Sequence, residues 1–260
     1  MSDATSDDAV ASRVRQAAAE FTVINYDRRG RGLSGDTPPY QVEREIDDIA
    51  ALINSAGGSA FVFGSSSGAV LALRAAASGL DITKLALYEP PFRVDGSGPL
   101  PPNDLDQEVA RLIEAGHRSE AVKLFVTRAI GVPSARVMLM RLLPGVWSKL
   151  TPMAHTIPYD IAIMGDTQSG GPLQPDDWAS AKAPRLVIDG GKSPVAQSDA
   201  SHALVAVLEN ARRRTLAGQA HSAPVMAPKK LAPILAEFFE AEDKAGDETS
   251  SPPGREESAT

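Results

Sequence analysis

The residues with the clearest chemical meaning lie in the run Ser59-Ala-Phe-Val-Phe-Gly64-Ser65-Ser66-Ser67-Gly68-Ala-Val-Leu-Ala-Leu. An apolar strand breaks there on Gly-x-Ser-x-Gly and restarts as a helix, the pattern of a nucleophile elbow. Such a turn holds its central residue in a strained backbone conformation and presents that side chain at the top of a sheet. Ser66 is therefore the candidate nucleophile. The new helix points its first amide hydrogens, including that of Ser67, to where negative charge would develop, so Ser67 is the candidate oxyanion donor. Glycine at both flanks, Gly64 and Gly68, suits a site where strand and helix backbones approach too closely for a Cβ. A polar turn is the competing reading, because Gly-Ser strings are common in loops.

An elbow acts only if a sheet holds it, and the flanking segments have the composition of one. An Ala-rich amphipathic stretch, Asp8 to Glu20, leads into an expected strand, Phe21 to Tyr26. The glycine loop Asp27 to Gly35 and a Pro-Pro break follow, then an expected helix from Val42 to Ser55. The elbow helix runs on to Ser78, and the strand Leu85 to Tyr88 ends at Glu89-Pro90-Pro91-Phe92. Short continuous apolar strands alternating with helices indicate an α/β fold with a parallel sheet covered on both faces. From 99 to 181 the spacing is helical instead: Leu105 to Ala115, Ser119 to Ile130, Ser134 to Leu143 and Val146 to about Met153. The sheet resumes at Pro184 to Asp189, followed by a helix from Ser198 to Asn210, a strand from Arg212 to Leu216, the loop Gly218-Gln-Ala-His221 and a final helix from Pro228 to Glu240. The implied organisation is a first part of the core over 1–98, a helical cap over 99–181, a second part of the core over 182–240 and a disordered acidic tail over 241–260.

Composition narrows the function classes. At 260 residues with 43% hydrophobic content the chain can bury one large α/β core. The absence of cysteine excludes a disulfide framework, a thiolate metal site and a cysteine nucleophile. Of the formal charge of −7, the last twenty residues supply −4 through six acids against two bases, and nothing in the rest suggests nucleic acid. The N-terminus lacks the basic start and apolar stretch of a signal peptide, and no apolar run approaches membrane-spanning length, so a cytoplasmic protein is expected. No His/Asp cluster has metal-ligand spacing and nothing suggests a cofactor; the expected partner is a small-molecule substrate. The sequence carries no signal for an oligomeric state. Gly30-Arg-Gly32-Leu-Ser-Gly35 matches a dinucleotide loop, yet Asp36-Thr-Pro-Pro interrupts where a helix N-terminus should follow. Arg28, Arg29 and Arg31 are read as holding that loop by ion pairs, with contact to an anionic substrate as the alternative.

Taken together, the blocks Tyr26 to Gly35, Gly64 to Gly68, Leu87-Tyr-Glu-Pro-Pro-Phe92, Leu186 to Gly191 and Gly218 to His221 resemble, in order, the α/β-hydrolase superfamily, particularly small bacterial serine hydrolases with a helical cap. The resemblance runs from about Val10 to Phe239 and implies hydrolysis of an ester or similar acyl bond through an acyl-enzyme. Its chain order of nucleophile, acid, histidine admits His117, His155, His202 and His221, and the loop after the last strand selects His221 as base. The usual acid position, after the strand ending at Ile188, holds Ser193, which leaves Glu89 and Asp166 as the candidates. Met138, Met140 and Trp147 could line an acyl or alkyl pocket, or could be core packing. The resemblance also implies N-terminal strands and a His-Gly oxyanion loop that do not appear ahead of Phe21. Biological truncation is one explanation; the expected one is that Met1 is a start wrongly chosen within a longer reading frame, and either way the chain as given is expected to be impaired. A noncatalytic ligand binder of the same fold is the second reading.

Overall fold

A computed structural model describes residues 21–94, 96, 100–142, 145 and 147–241. The expected helix over 8–20 and the expected tail from 242 onward lie outside them.

Four strands, β1 (Ala60–Ser65), β2 (Ile82–Tyr88), β3 (Arg185–Gly190) and β4 (Ala211–Leu216), form a sheet in the order β1-β2-β3-β4 with every pair parallel. Parallel neighbours need crossover connections, and helices supply them: α1 (Val42–Ser55) precedes β1, α2 (Ser67–Ala77) links β1 to β2, and α8 (Val195–Val207) links β3 to β4. The alternation of side chains along β2 and β3 divides the core in two. Leu85, Leu87 and Val187 pack with Ile49, Ile53, Leu71, Leu73 and Leu204 on one face. Ala86, Tyr88, Leu186 and Ile188 pack on the other with Leu231, Leu235 and Phe238 of α10 (Pro228–Glu240), which follows the short α9 (Ala223–Met226). Both faces of β2 and β3 are therefore dry, which is why these strands read as continuous apolar runs.

Between β2 and β3 the chain is helical: α3 (Leu105–Glu114), α4 (Arg118–Arg128), α5 (Ser134–Leu142), α6 (Trp147–Leu150) and α7 (Ile157–Met164), with 3-10 turns at Ala154–Thr156, Gly165–Gln168 and Pro175–Trp178. This insertion has its own core of Leu105, Val109, Val122, Val126, Val137 and Ile157. The helix expected up to Met153 stops at Leu150, and α7, absent from the sequence reading, begins after it. Its residues Ile157, Ile161, Ile163 and Met164 are apolar on more than one face, so no clear amphipathic period marks it.

The expected strand Phe21 to Tyr26 does not form; its residues adopt no regular secondary structure, and β1 is the edge of the described sheet. A strand is defined by a ladder, and β-branched composition cannot supply one without a neighbour at about 4.8 Å. Cavities of about 590 Å³ and about 260 Å³ are lined by this segment on one side and by Ala60, Phe61 and Phe63 on the other. Aromatic contacts bridge the space, with the Phe21 ring edge-on to Phe61 at 5.9 Å.

Candidate active site

The registers Ser65 to Tyr88, Tyr88 to Ile188 and Gly190 to Leu216 align the carboxyl ends of all four strands on one rim. Ladder-type bonds continue to that rim, from the Ser66 amide to the Tyr88 carbonyl at 2.9 Å and from the Glu89 amide to the Ile188 carbonyl at 2.9 Å. Residues just past the strands are consequently fixed by backbone as well as by side-chain contacts.

Ser66 sits between β1 and α2 at φ 55°, ψ −128°, a conformation that costs a non-glycine residue about 1–3 kcal/mol and persists only when its surroundings enforce it. Gly64 is part of that enforcement, because a Cβ there would lie 2.4 Å from the Gly68 carbonyl oxygen and 2.7 Å from Ala69 Cα. Gly68 corrects the expectation for the second flank: a Cβ on it would meet nothing within 4 Å. Ser67 opens α2, so its N–H has no intrahelical acceptor and remains available.

The Ser66 hydroxyl lies 3.2 Å from His221 Nε2, and His221 Nδ1 lies 2.7 Å from Glu89 Oε2. A carboxylate facing Nδ1 makes that nitrogen the donor and leaves Nε2 as acceptor for the serine proton. Glu89 follows β2 at φ 44°, and its second oxygen accepts the Gly190 amide at 2.6 Å. Burial by itself would raise the Glu89 carboxyl. The bond to His221, the nearby Ser193 hydroxyl and the Gly190 amide outweigh burial and hold the pKa below the ordinary carboxylate value. Glu89 is fully buried, whereas the His221 side chain is 41% exposed and can reach a bound molecule. The Tyr88 hydroxyl donates to the Ala220 carbonyl at 2.8 Å, which ties the histidine loop to β2.

Asp166, the other candidate acid, is not brought to His221. It belongs to the turn after α7 and faces a separate cleft with Val42, Glu43, Arg74 and Trp178. The reason is topological: β2 is the ladder neighbour of β3, so a residue one step beyond Tyr88 reaches the rim directly, whereas α7 packs on α2. Of the other histidines, His155 bonds the carbonyls of Gly30 and Pro152, His117 precedes α4, and His202 lies exposed on α8.

A cleft of about 80 Å³ adjoins Ser66 and His221, walled by Phe125, Ile130 and Met164 of the insertion and by Arg93, Gln168 and Gln197. Met138 and Trp147 do not line it. Met138 is exposed, and Trp147 packs in the insertion core with its indole N–H on Ser119. Among the described residues, no group of three or more His, Asp and Glu is placed to hold a metal ion.

Asp160 of α7 lines the same cleft beside Ser67 and was not singled out in the sequence, although it is the single charge in Ile157–Met164. The Ser67 hydroxyl donates to its Oδ1 at 2.8 Å, Arg28 Nη1 donates to the same oxygen at 3.0 Å, and Arg31 Nη2 pairs with Oδ2 at 2.8 Å. Arg28 also forks onto the buried Glu45, at 2.6 and 2.7 Å, and Arg29 pairs with Asp48. The loop arginines are thus engaged in ion pairs. Burial would raise the Asp160 carboxyl, but Arg31, Arg28 and the Ser67 hydroxyl hold it below its ordinary value.

The sequence profile described as the alpha/beta hydrolase family matches residues 7–234. An alpha/beta hydrolase from Sphaerobacter thermophilus is 48% identical, covering 88% of this chain and 86% of its own, with a TM-score of 0.80. A thermophilic esterase from Thermogutta terrifontis is similar in fold at 21% identity, with 90% and 85% of the two chains covered and a TM-score of 0.61. A bromoperoxidase from Bacillus anthracis reaches the same TM-score of 0.61 at 17% identity, covering 91% and 87%. A search of the curated proteins found no match.

Proposed function

The chain belongs to the alpha/beta hydrolase family, and we propose that within it the protein is a serine hydrolase that cleaves an ester or similar acyl bond of a small molecule through an acyl-enzyme. The observation that carries this reading is the chain of contacts from the strained Ser66 through His221 to the buried Glu89.

His221 Nε2 takes the Ser66 proton as Oγ attacks the carbonyl carbon, and Glu89 stabilises the imidazolium that results. The Ser67 amide, at the positive end of α2, donates to the developing oxyanion. The tetrahedral intermediate collapses as His221 returns the proton to the leaving oxygen, which departs as alcohol and leaves Ser66 acylated. Water then repeats the sequence with His221 as base and releases the acid. The insertion acts as a cap whose Phe125, Ile130 and Met164 exclude bulk water from the short acyl site.

The test is a burst. Mixing the protein with 4-nitrophenyl acetate should release close to one equivalent of 4-nitrophenolate per Ser66 before the steady state, and Ser66→Ala should remove both the burst and the turnover. A noncatalytic binder is the second reading, favoured by the single oxyanion donor identified among the described residues. Loss of one such donor reduces turnover by about a hundred- to a thousandfold. Ligand binding without burst or turnover selects it.

A further inference from the structure

The guanidinium groups of Arg28, Arg29, Arg31, Arg213 and Arg214 each face a carboxylate. Arg93 does not. It lies four residues beyond Glu89, with 9% of its surface exposed, and its amide is fixed by a 2.8 Å bond to the Thr167 carbonyl. Its side chain makes one bond, from Nη2 to the Ala129 carbonyl at 3.3 Å; Nε has no partner, and no carboxylate stands within ion-pair distance among the described residues. Burial pushes the guanidinium below its ordinary range, with no acidic neighbour to offset it. A buried cation without a counter-ion is costly, and a guanidinium is the side chain best shaped to take a carboxylate by two parallel bonds.

Position decides what that unmet demand is for. Arg93 lines the cleft that Ser66 and His221 open into, together with Phe125 and Ile130 and with Asp160, whose carboxylate is already paired with Arg28 and Arg31. Arg185, the other buried arginine without a carboxylate partner, sits at the far end of β3 against the Glu209 carbonyl.

We propose that Arg93 is the anion-recognition group of this cleft, and that the preferred substrate is a small ester carrying a free carboxylate. This deepens the serine-hydrolase reading and rests on it. The carboxylate would pair with the Arg93 guanidinium while the ester carbonyl lies at Ser66. A long neutral acyl chain would leave the charge buried and unpaired.

Two anionic esters and their neutral isosteres test the proposal. Monoethyl succinate carries the carboxylate on the acyl side, with ethyl 4-methylpentanoate as its counterpart. O-acetylglycolate carries it on the leaving side, with isobutyl acetate as its counterpart. The intact protein should turn over at least one anionic ester with a kcat/KM about ten- to a hundredfold above its isostere, the range of one charge-assisted pair. Arg93→Gln should erase that preference through KM, so that the two members of each pair are turned over alike, and Arg93→Lys should restore part of it. Equal turnover of both members of each pair, or a preference that survives Arg93→Gln, would overturn the proposal. Calorimetric titration with succinate separates this result from the reading beneath it. Binding to the intact protein that is lost in Arg93→Gln supports the anion site even if no ester is cleaved, in which case it is the serine-hydrolase reading that fails. Absent binding, or equal binding to both proteins, counts against the anion site whatever the turnover.

Discussion

The two flanks of β1 are built by different means. On the side of β2, β3 and β4, continuous ladders deliver Ser66, Glu89 and His221 to one rim, between two dry faces of core. On the other side, residues 21–26 run without a ladder, separated from β1 by cavities, and the loop after them is held by side chains. Arg28 reaches Glu45 and Asp160, Arg29 reaches Asp48, and Tyr159 donates to Asp36 at 2.7 Å while stacking on Tyr40. Backbone ladders fix the contacts of Ser66, His221 and Glu89, whereas charge pairs fix the surroundings of Ser67. The two flanks should therefore fail differently when a single residue is changed.

The largest effect belongs to the laddered flank. Glu89→Gln keeps the shape but removes the charge that orients His221, and turnover should fall by about 10⁴-fold, the scale of an acid-to-amide change in such a triad. The same variant has a pH signature. Because the folded-state pKa of Glu89 is held below its ordinary value, its contribution to stability is full above about pH 4.3 and is lost as pH falls through the lowered value. The gap in Tm between the intact protein and Glu89→Gln should be constant from neutral pH down to about 5 and should close on further acidification. A gap that widens in acid would contradict the assigned direction.

On the other flank the first effect should be on stability. Asp160→Asn leaves Arg31 without its carboxylate and Arg28 with Glu45 alone, and removing one partner of such a part-buried cluster costs about 3 kcal/mol in urea unfolding. If that variant instead lost turnover at unchanged stability, the division between the flanks would be wrong. The smallest effect distinguishes the two glycines of the elbow. Gly68→Ala should be neutral or stabilising by up to about 1 kcal/mol, because the added methyl meets nothing and alanine favours the helix. Gly64→Ala, which drives a Cβ into the backbone of α2, should lower Tm clearly.

Much of this was legible in the chain because it is local. The elbow, the strand before it and the helix after it each follow from a few consecutive residues, and the family resemblance then selects His221 after the last strand. Glu89 and Asp166 could not be ranked, since the choice depends on which strand neighbours β3, a fact of pairing and not of spacing. Phe21 to Tyr26 has strand composition without a strand, because a ladder needs a partner that composition does not specify. Asp160 and Arg93 were missed for a related reason. A lone charge in an apolar run marks an unusual residue, but its meaning appears only when the opposite wall of the site is in place.

The most direct measurement of the central claim is the rate of covalent labelling by a serine-directed fluorophosphonate, with the modified peptide identified by mass spectrometry. Labelling of the intact protein should map to Ser66 at one group per chain, slow by several orders of magnitude in His221→Ala, and vanish in Ser66→Ala. Labelling that mapped to Ser65 or Ser67, or that proceeded at the same rate without His221, would contradict a nucleophile activated by this relay.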